Sequence, residues 1–233
     1  MNSLINKHVS FVDLGIMDYP RAWDYQTRLF EDILLIKKNN RDKPASEQEP
    51  TPNYLLFCEH PHVYTLGKSG KEENLLMAPA ALSTINATYH HINRGGDITY
   101  HGPGQLVAYP ILDLENFFTD IHQYMRSLEE AVLQVLASYQ LAGVRVPGMT
   151  GVWLPSPDRK ICALGVKTSR WVTMHGLALN VHTDLSYFDH IIPCGIEDKA
   201  VTSLQQELGR EVSMTEVKAR LQKSFYSVFK MTA

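Results

Sequence analysis

Three cysteines, Cys58, Cys162 and Cys194, are the strongest nucleophiles that the 233-residue sequence offers. A thiolate attacks an acyl carbonyl readily, yet a thiol of ordinary pKa, near ~8.5, is only a few per cent ionised at neutral pH. Position therefore decides which of the three can work. Cys58 and Cys162 sit inside the apolar runs NYLLFCEH and KICALG, where a buried, inert thiol is the usual outcome. Cys194 stands in PCGI, between a proline and a glycine, in a predicted loop that can present a thiol to a substrate. Taken alone, it reads either as a nucleophile or as an ordinary loop cysteine. The C-x-H-x-H spacing of Cys58, His60 and His62 suggests zinc, but no fourth ligand is evident, and no metal is expected.

The second stretch with chemical potential is RGGDITYHGPGQ, residues 94–105. It has neither G-x-G-x-x-G spacing nor G-K-[ST], and no helix opens after it, so it is not a nucleotide-phosphate loop. Gly95 and Gly96 leave backbone bare where a partner can approach closely. His101 and Gln105 set polar groups beside that bare strip. A pair of turns around a short strand is the plain reading. A groove for an acyl chain and its carbonyl is the functional one.

R-G-G-x-x-T-Y-H-x-x-G-Q-x-x-x-Y, over 94–109, resembles the signature of the lipoyl(octanoyl) transferases, which move an octanoyl group from acyl carrier protein to lipoyl domains. The resemblance continues in K-I-C-A-L-G at 160–165, H-G-L-A-L-N-V at 175–181 and I-P-C-G-I at 192–196. It implies a single α+β catalytic domain over the whole chain, related to the biotin and lipoate protein ligases, with mixed and antiparallel sheets flanked by helices. It also implies that Cys194 carries the acyl group as a thioester and that Lys160 is its partner. The substrate is expected against Arg94, Gly95, Gly96, Asp97, Ile98, Thr99, Tyr100 and His101, against Ala163, Leu164 and Gly165, and against Gly176, Leu177 and Ala178, with Gln105 and His175 in support. The implied partners are acyl carrier protein, which delivers the acyl group on its phosphopantetheine, and the lipoyl domains of 2-oxoacid dehydrogenases and of the glycine-cleavage H protein. Neither ATP nor a metal is implied.

The chemistry is coherent with those residues. A lysine ammonium beside a thiol favours the thiolate. The acceptor lysine, with an ordinary pKa of ~10.4, must lose a proton before it attacks, and a neutral Lys160 would take it. In such a dyad the proton belongs to the pair. Exchange between thioesters costs little and thioester to amide runs downhill, so an activated donor removes the need for adenylation. An octanoyl tail offers about six methylenes at ~0.8 kcal/mol each, roughly 5 kcal/mol before ordering costs. Gly96, Tyr100, Leu177 and Leu179 are candidate pocket neighbours, with a plain core role the equal alternative for both leucines, and backbone N–H groups near Leu164 and Gly165 a candidate oxyanion hole. An ATP-dependent lipoate ligase of the same fold, a non-catalytic binder of lipoyl domains and a cysteine hydrolase are the rival readings.

The elements that must hold these residues are legible in outline. HVSFVDLG reads as a strand, and residues 19–40 carry apolar positions at helical spacing with Lys37 and Lys38 suited to the C-terminus. RDKPASEQEPTPN, about 41–53, reads as a flexible surface loop. NYLLFCEHPHVYTLG, TYHHI, DITYH and QLVAYPILDL read as strands, and NLLMAPAALSTI as a short helical patch. Leu128, Val132, Val135, Leu136 and Tyr139 mark an amphipathic helix from about 122 to 141. MTGVWL, KICALGVK and WVTMHGLALNV read as antiparallel strands joined by short turns. Ser213 with Glu216 three residues on opens a last helix.

Composition sets the outer limits. The chain is 44% hydrophobic and 20% charged with a net charge of -3, which excludes a dedicated nucleic-acid binder. No apolar run approaches the ~20 residues of a membrane span, and the N-terminal residues show no signal-like apolar stretch. Sparse, unpaired cysteines predict reduced thiols in the cytoplasm, and nothing calls for more than a monomer. Acidic partners would require a local basic rim, for which Lys68, Lys71, Arg94, Arg159, Lys167 and Arg170 are candidates.

Overall fold

The nearly unbroken apolar runs 54–59 and 105–111 build the centre of the fold. In the computed structural model, which describes residues 5–192 and 200–233, these runs become strands β2 (Tyr54–Glu59) and β6 (Gln105–Ile111). They pair antiparallel, with Leu56 opposite Tyr109. Leu55, Phe57, Leu106 and Ala108 face one side, and Leu56, Cys58, Val107 and Tyr109 the other. A sheet apolar on both faces must be covered on both. Helices α2 (Ile121–Ser138) and α4 (Met214–Phe229), the latter preceded by a short α3 (Leu204–Leu208), cover the first face through Leu128, Val132, Val135, Leu221 and Phe225. Helix α1 (Tyr19–Asn40) covers part of the second through Ala22, Phe30 and Ile33. Ser213 caps α4 by accepting the Glu216 amide at 3.4 Å, as the spacing predicts.

The full sheet runs β1 (Ser10–Ile16), β2, β6, β9 (Val172–Asn180), β8 (Arg159–Ser169), β10 (Ala200–Val201), with β7 (Val152–Leu154) also paired to β8. The antiparallel run β7, β8, β9 matches the expectation from sequence. The turn between β8 and β9 is Arg170–Trp171, both at positive φ (49° and 67°), a conformation matched to hairpin twist and here taken up by two non-glycine residues.

Two expectations change. NYLLFCEHPHVYTLG is not one strand. It breaks after Glu59, at His60-Pro61, and the chain leaves the large sheet to form β3 (Val63–Leu66) in a second sheet of order β4 (Thr88–His91), β3, β5 (Ile98–His101). Proline forbids a ladder hydrogen bond and pushes its predecessor off regular geometry, which is why one apolar run serves two sheets. The sheets also contain parallel pairs, β1 with β2, β3 with β4 and β10 with β8, which strand patterning alone does not reveal. The stretch at 41–53 carries its own ties: Asn40 brackets Glu49 with two hydrogen bonds, and Thr51 donates to Asp113 at 2.9 Å. Among the described residues no helix is long and apolar enough to cross a membrane.

Candidate active site

A cavity of about 450 Å³ lies between the second face of the large sheet and the small sheet, within the ~300–1,000 Å³ range of small-ligand sites. Its floor is made of side chains that are almost absent. Ala163 pairs with Ala178 and Gly165 with Gly176 across the β8–β9 ladder, and all four line the cavity. Larger residues there would fill it. The facing wall is the glycine-rich stretch: Arg94, Gly95, Gly96, Asp97, Ile98, Thr99 and His101 line the space. The Gly95 amide bonds the Val166 carbonyl at 2.9 Å, which clips the wall to the end of the floor. A Cβ on Gly165 would crowd this contact, standing 3.0 Å from both Arg94 Cδ and the Gly95 carbonyl oxygen. Gly96 turns at φ +83°, a conformation that glycine adopts freely.

Polar groups gather at one end. Arg94 is 8% exposed, and its guanidinium donates to the Thr65 carbonyl at 2.7 Å, to Thr65 Oγ1 at 3.0 Å and to the Gly95 carbonyl. Gln105 donates through Nε2 to the Tyr100 carbonyl and to Asn180 Oδ1, so its Oε1 accepts from His101 Nδ1 at 2.7 Å. The His101 proton therefore sits on Nδ1, and Nε2 is an acceptor. Tyr19, from the start of α1, stacks on the His101 ring at 6.0 Å and 9°. His60 donates from Nδ1 to the Met17 carbonyl and accepts from Tyr109 through Nε2, which uses both ring nitrogens and explains the C-x-H-x-H spacing without a metal. Burial pushes His60 down to about 4 and His101 and His175 to about 3, with the Arg94 charge adding to the effect on the last two. Burial pushes the Cys58 and Cys162 thiols well above the ordinary range, which removes both as nucleophiles.

His175 departs from strand geometry at φ 60° in the middle of β9. Its register partner on β6 would be Pro110, whose carbonyl accepts from Thr173 Oγ1 at 2.8 Å. The His175 amide turns instead to the Oε1 of buried Gln26 on α1 at 3.0 Å, and its ring bonds Asn93 Oδ1 at 2.9 Å. Gly176 follows with its Cα packed against the Ala108 carbonyl, where a Cβ would stand at 2.1 Å.

Lys160 also lines the cavity, its Nζ 4.7 Å from the Trp153 ring centroid. Cys194 lies outside the described residues. Described chain on both sides of it reaches the cavity walls. The Ile192 amide bonds the Asn74 carbonyl at 2.9 Å, and Asn74 Nδ2 donates to Asp97 at 2.6 Å. Ala200 and Val201 line the cavity and pair with Arg159 and Lys160.

Leu164 and Leu177 line the space as well as packing into the first-face core. Two expected pocket neighbours do not line it. Tyr100 turns into the small-sheet core, with its hydroxyl on His62 Nδ1 at 2.8 Å, and Leu179 joins the first-face core. Of the candidate rim, Arg94 is inside the cavity, Arg159 is paired with Glu207 at 2.8 Å, and Lys71 with Glu73 at 3.2 Å. Lys167 sits over the Phe30 ring at 4.9 Å. Tyr19, Val107, Thr150, Trp153 and Asn180 also line the cavity and were not singled out from sequence. Only Val107 and Asn180 carried a usable signal, as the period-two neighbours of Gln105 and Ala178.

Residues 18–226 match the family described as lipoyl protein ligase A/B catalytic domain. An octanoyltransferase of Cytophaga hutchinsonii is 57% identical over 235 residues, covering 99% of this chain and 96% of the relative. One from Flavobacterium psychrophilum is 59% identical and covers 98% and 99%. In fold, the chain resembles the bi-partite lipoate protein ligase of Thermoplasma acidophilum, with TM-score 0.70 at 18% identity over 97% of this chain and 86% of that one. A lipoate-protein ligase A bound with ATP gives 0.68 at 17%, over 97% and 86%.

Proposed function

The chain belongs to the lipoyl protein ligase A/B catalytic-domain family and is an octanoyltransferase of protein lipoylation, and we propose that it works by a two-step acyl transfer through Cys194 with Lys160 as its proton partner. In the first step the Cys194 thiolate attacks the octanoyl thioester on the phosphopantetheine of acyl carrier protein. The carbonyl carbon forms a bond to Cys194 sulfur, and the phosphopantetheine thiolate leaves. The Lys160 ammonium stabilises the attacking thiolate and then gives its proton to the departing phosphopantetheine thiolate, which leaves Lys160 neutral. In the second step the amine of a lipoyl-domain lysine attacks the Cys194 thioester, Lys160 takes its proton, and the cysteine thiolate departs as the amide forms.

The observation that carries this reading is the presence of Lys160 in the lining of a cavity floored by Ala163, Gly165, Gly176 and Ala178, with the chain on both sides of Cys194 tied to the same walls. The bare floor suits a methylene chain. The activated donor carries the energy, so neither ATP nor a metal enters the reaction. The partners in this reading are acyl carrier protein and lipoyl domains, met by a monomer in the cytoplasm, where unpaired thiols stay reduced.

Intact mass spectrometry after mixing with octanoyl-loaded carrier protein, without nucleotide, tests it. A mass gain of one octanoyl group that Cys194→Ala abolishes is expected, followed by loss of the adduct when a lipoyl domain is added. Turnover that needs ATP, or free octanoate as the main product, would sink the reading.

A further inference from the structure

Lys160 and Ala163 both line the cavity although they are three residues apart on one strand. Regular alternation would put Lys160 on the face of Cys162, which is in the core. A bulge resolves the conflict. Val152 pairs with Cys162, but the next residue, Trp153, pairs with Lys160, which leaves Ile161 as the extra residue. Ile161 and Cys162 both enter the core, and Lys160 is re-aimed into the cavity.

Lys160 lies against Trp153 and Gly151. Its Nζ stands over the Trp153 ring, and its stem passes Gly151, where an added Cβ would be 3.5 Å from Lys160 Cε and 2.7 Å from the Cys162 carbonyl oxygen. Gly151 is at φ +121°. Its amide donates to Glu129 Oε1 at 3.2 Å. Glu129 is on α2, 1% exposed, and its Oε2 also accepts from Arg126 at 2.6 Å and from Arg145 Nε at 3.0 Å. Arg145 follows Val144, whose backbone exchanges two hydrogen bonds with Trp153 at 2.8 and 3.0 Å. One buried carboxylate thus ties back both surfaces that Lys160 rests on. Burying a carboxylate is costly, and a leucine would fill the same helix position without that penalty.

We propose that Glu129 is a positioning residue for Lys160, holding the Gly151–Trp153 segment so that the bulged strand keeps the lysine aimed into the cavity. It touches no part of the substrate site, and the inference rests on the role of Lys160 given above. A double-mutant cycle tests it, because a residue that acts only through Lys160 has nothing left to lose once Lys160 is gone. Glu129→Ala is expected to lower kcat about tenfold or more with KM for the octanoyl carrier within twofold, and to add less than twofold in a Lys160→Ala background. Glu129→Gln, which keeps an acceptor for the Gly151 amide, is expected to recover most of the rate. Should Glu129→Ala not fold, Arg145→Ala enters the same cycle, since it leaves the Arg126 pair in place. An equal loss in both backgrounds would assign Glu129 to general stability and overturn the proposal. Full activity in Lys160→Ala alone would overturn the role of the lysine itself, an outcome that the single mutant separates from failure of the Glu129 link.

Discussion

The backbone carbonyl of Lys160 accepts the amide of Thr202 at 3.0 Å. The strand that carries the lysine is therefore also the strand to which the chain returns after Cys194, and Val201 stands directly beside Lys160 in register. Thirty-four residues separate the two proposed partners (194 − 160) along the chain. Sheet pairing removes most of that separation, and the parallel β10–β8 contact is what makes a cysteine–lysine partnership geometrically reasonable.

Charge and proton acceptance at residue 160 can be separated. Lys160→Arg keeps a cation but cannot deprotonate near neutral pH. Thioester formation on Cys194 is expected to survive within about tenfold, whereas transfer to the lipoyl-domain amine falls by ~10² or more, the usual scale of a lost general base. Single-turnover measurements of each half-reaction read the two effects apart. Equal losses in both halves would limit Lys160 to electrostatics.

The floor is expected to set how much chain fits. Ala178 is 4% exposed and sits opposite Ala163, facing the cavity. Ala178→Leu adds three carbon atoms to that space. Displacing about three substrate methylenes at ~0.8 kcal/mol each weakens octanoyl binding by roughly 2.4 kcal/mol, near fiftyfold in KM, while butanoyl donors lose little. Kinetics across donors of different length check this, and an unshifted length profile would place the acyl chain elsewhere.

Much of this arrangement is legible in the residues themselves. The helix spans follow from apolar periodicity, and the small residues of KICALG and HGLALNV announce a bare surface once the two strands are paired. What sequence does not show is the bulge at Ile161. Its signal is the exception to alternation, visible only when β7 fixes the register. Tyr19 reaches the cavity from the start of α1, far along the chain, and no local pattern reports that contact. His60 and Gln105 read as polar groups in apolar runs, and only the folded partners, Met17, Tyr109, Asn180 and the Tyr100 carbonyl, show that they are structural braces.

Acid should destabilise the fold before it denatures most carboxylate-rich proteins. His60, His101 and His175 are held at about 4, 3 and 3, below the ~6.5 of a free imidazole. The unfolded chain then takes up protons that the folded one refuses, so this stability is complete above pH ~6.5 and is lost as pH falls toward the folded values. At pH 5 each ring subtracts about 2 kcal/mol, from 1.5 units at 1.36 kcal/mol per unit. Urea unfolding between pH 7.5 and 5 is expected to show a slope approaching three protons, reduced by about one in His101→Gln. A flat profile would mean that the rings titrate freely in the folded state.

His175 offers a separate test of backbone strain at the cavity. It occupies the left-handed region at φ 60°, where a side chain costs roughly 1 kcal/mol, and its amide is committed to Gln26. Removing the ring breaks the bond to Asn93 equally in His175→Ala and His175→Gly. The two differ only in how well they tolerate the backbone. Glycine pays more unfolded-state entropy but suffers no steric penalty at positive φ, and the steric term is the larger of the two at such positions. His175→Gly is therefore expected to unfold at a higher denaturant concentration than His175→Ala, by about 0.5–1 kcal/mol, the reverse of the usual order within a strand. An alanine variant that is the more stable by the same margin would show that β9 runs straight through residue 175, and the diversion of its amide from Pro110 to Gln26 would have to be abandoned.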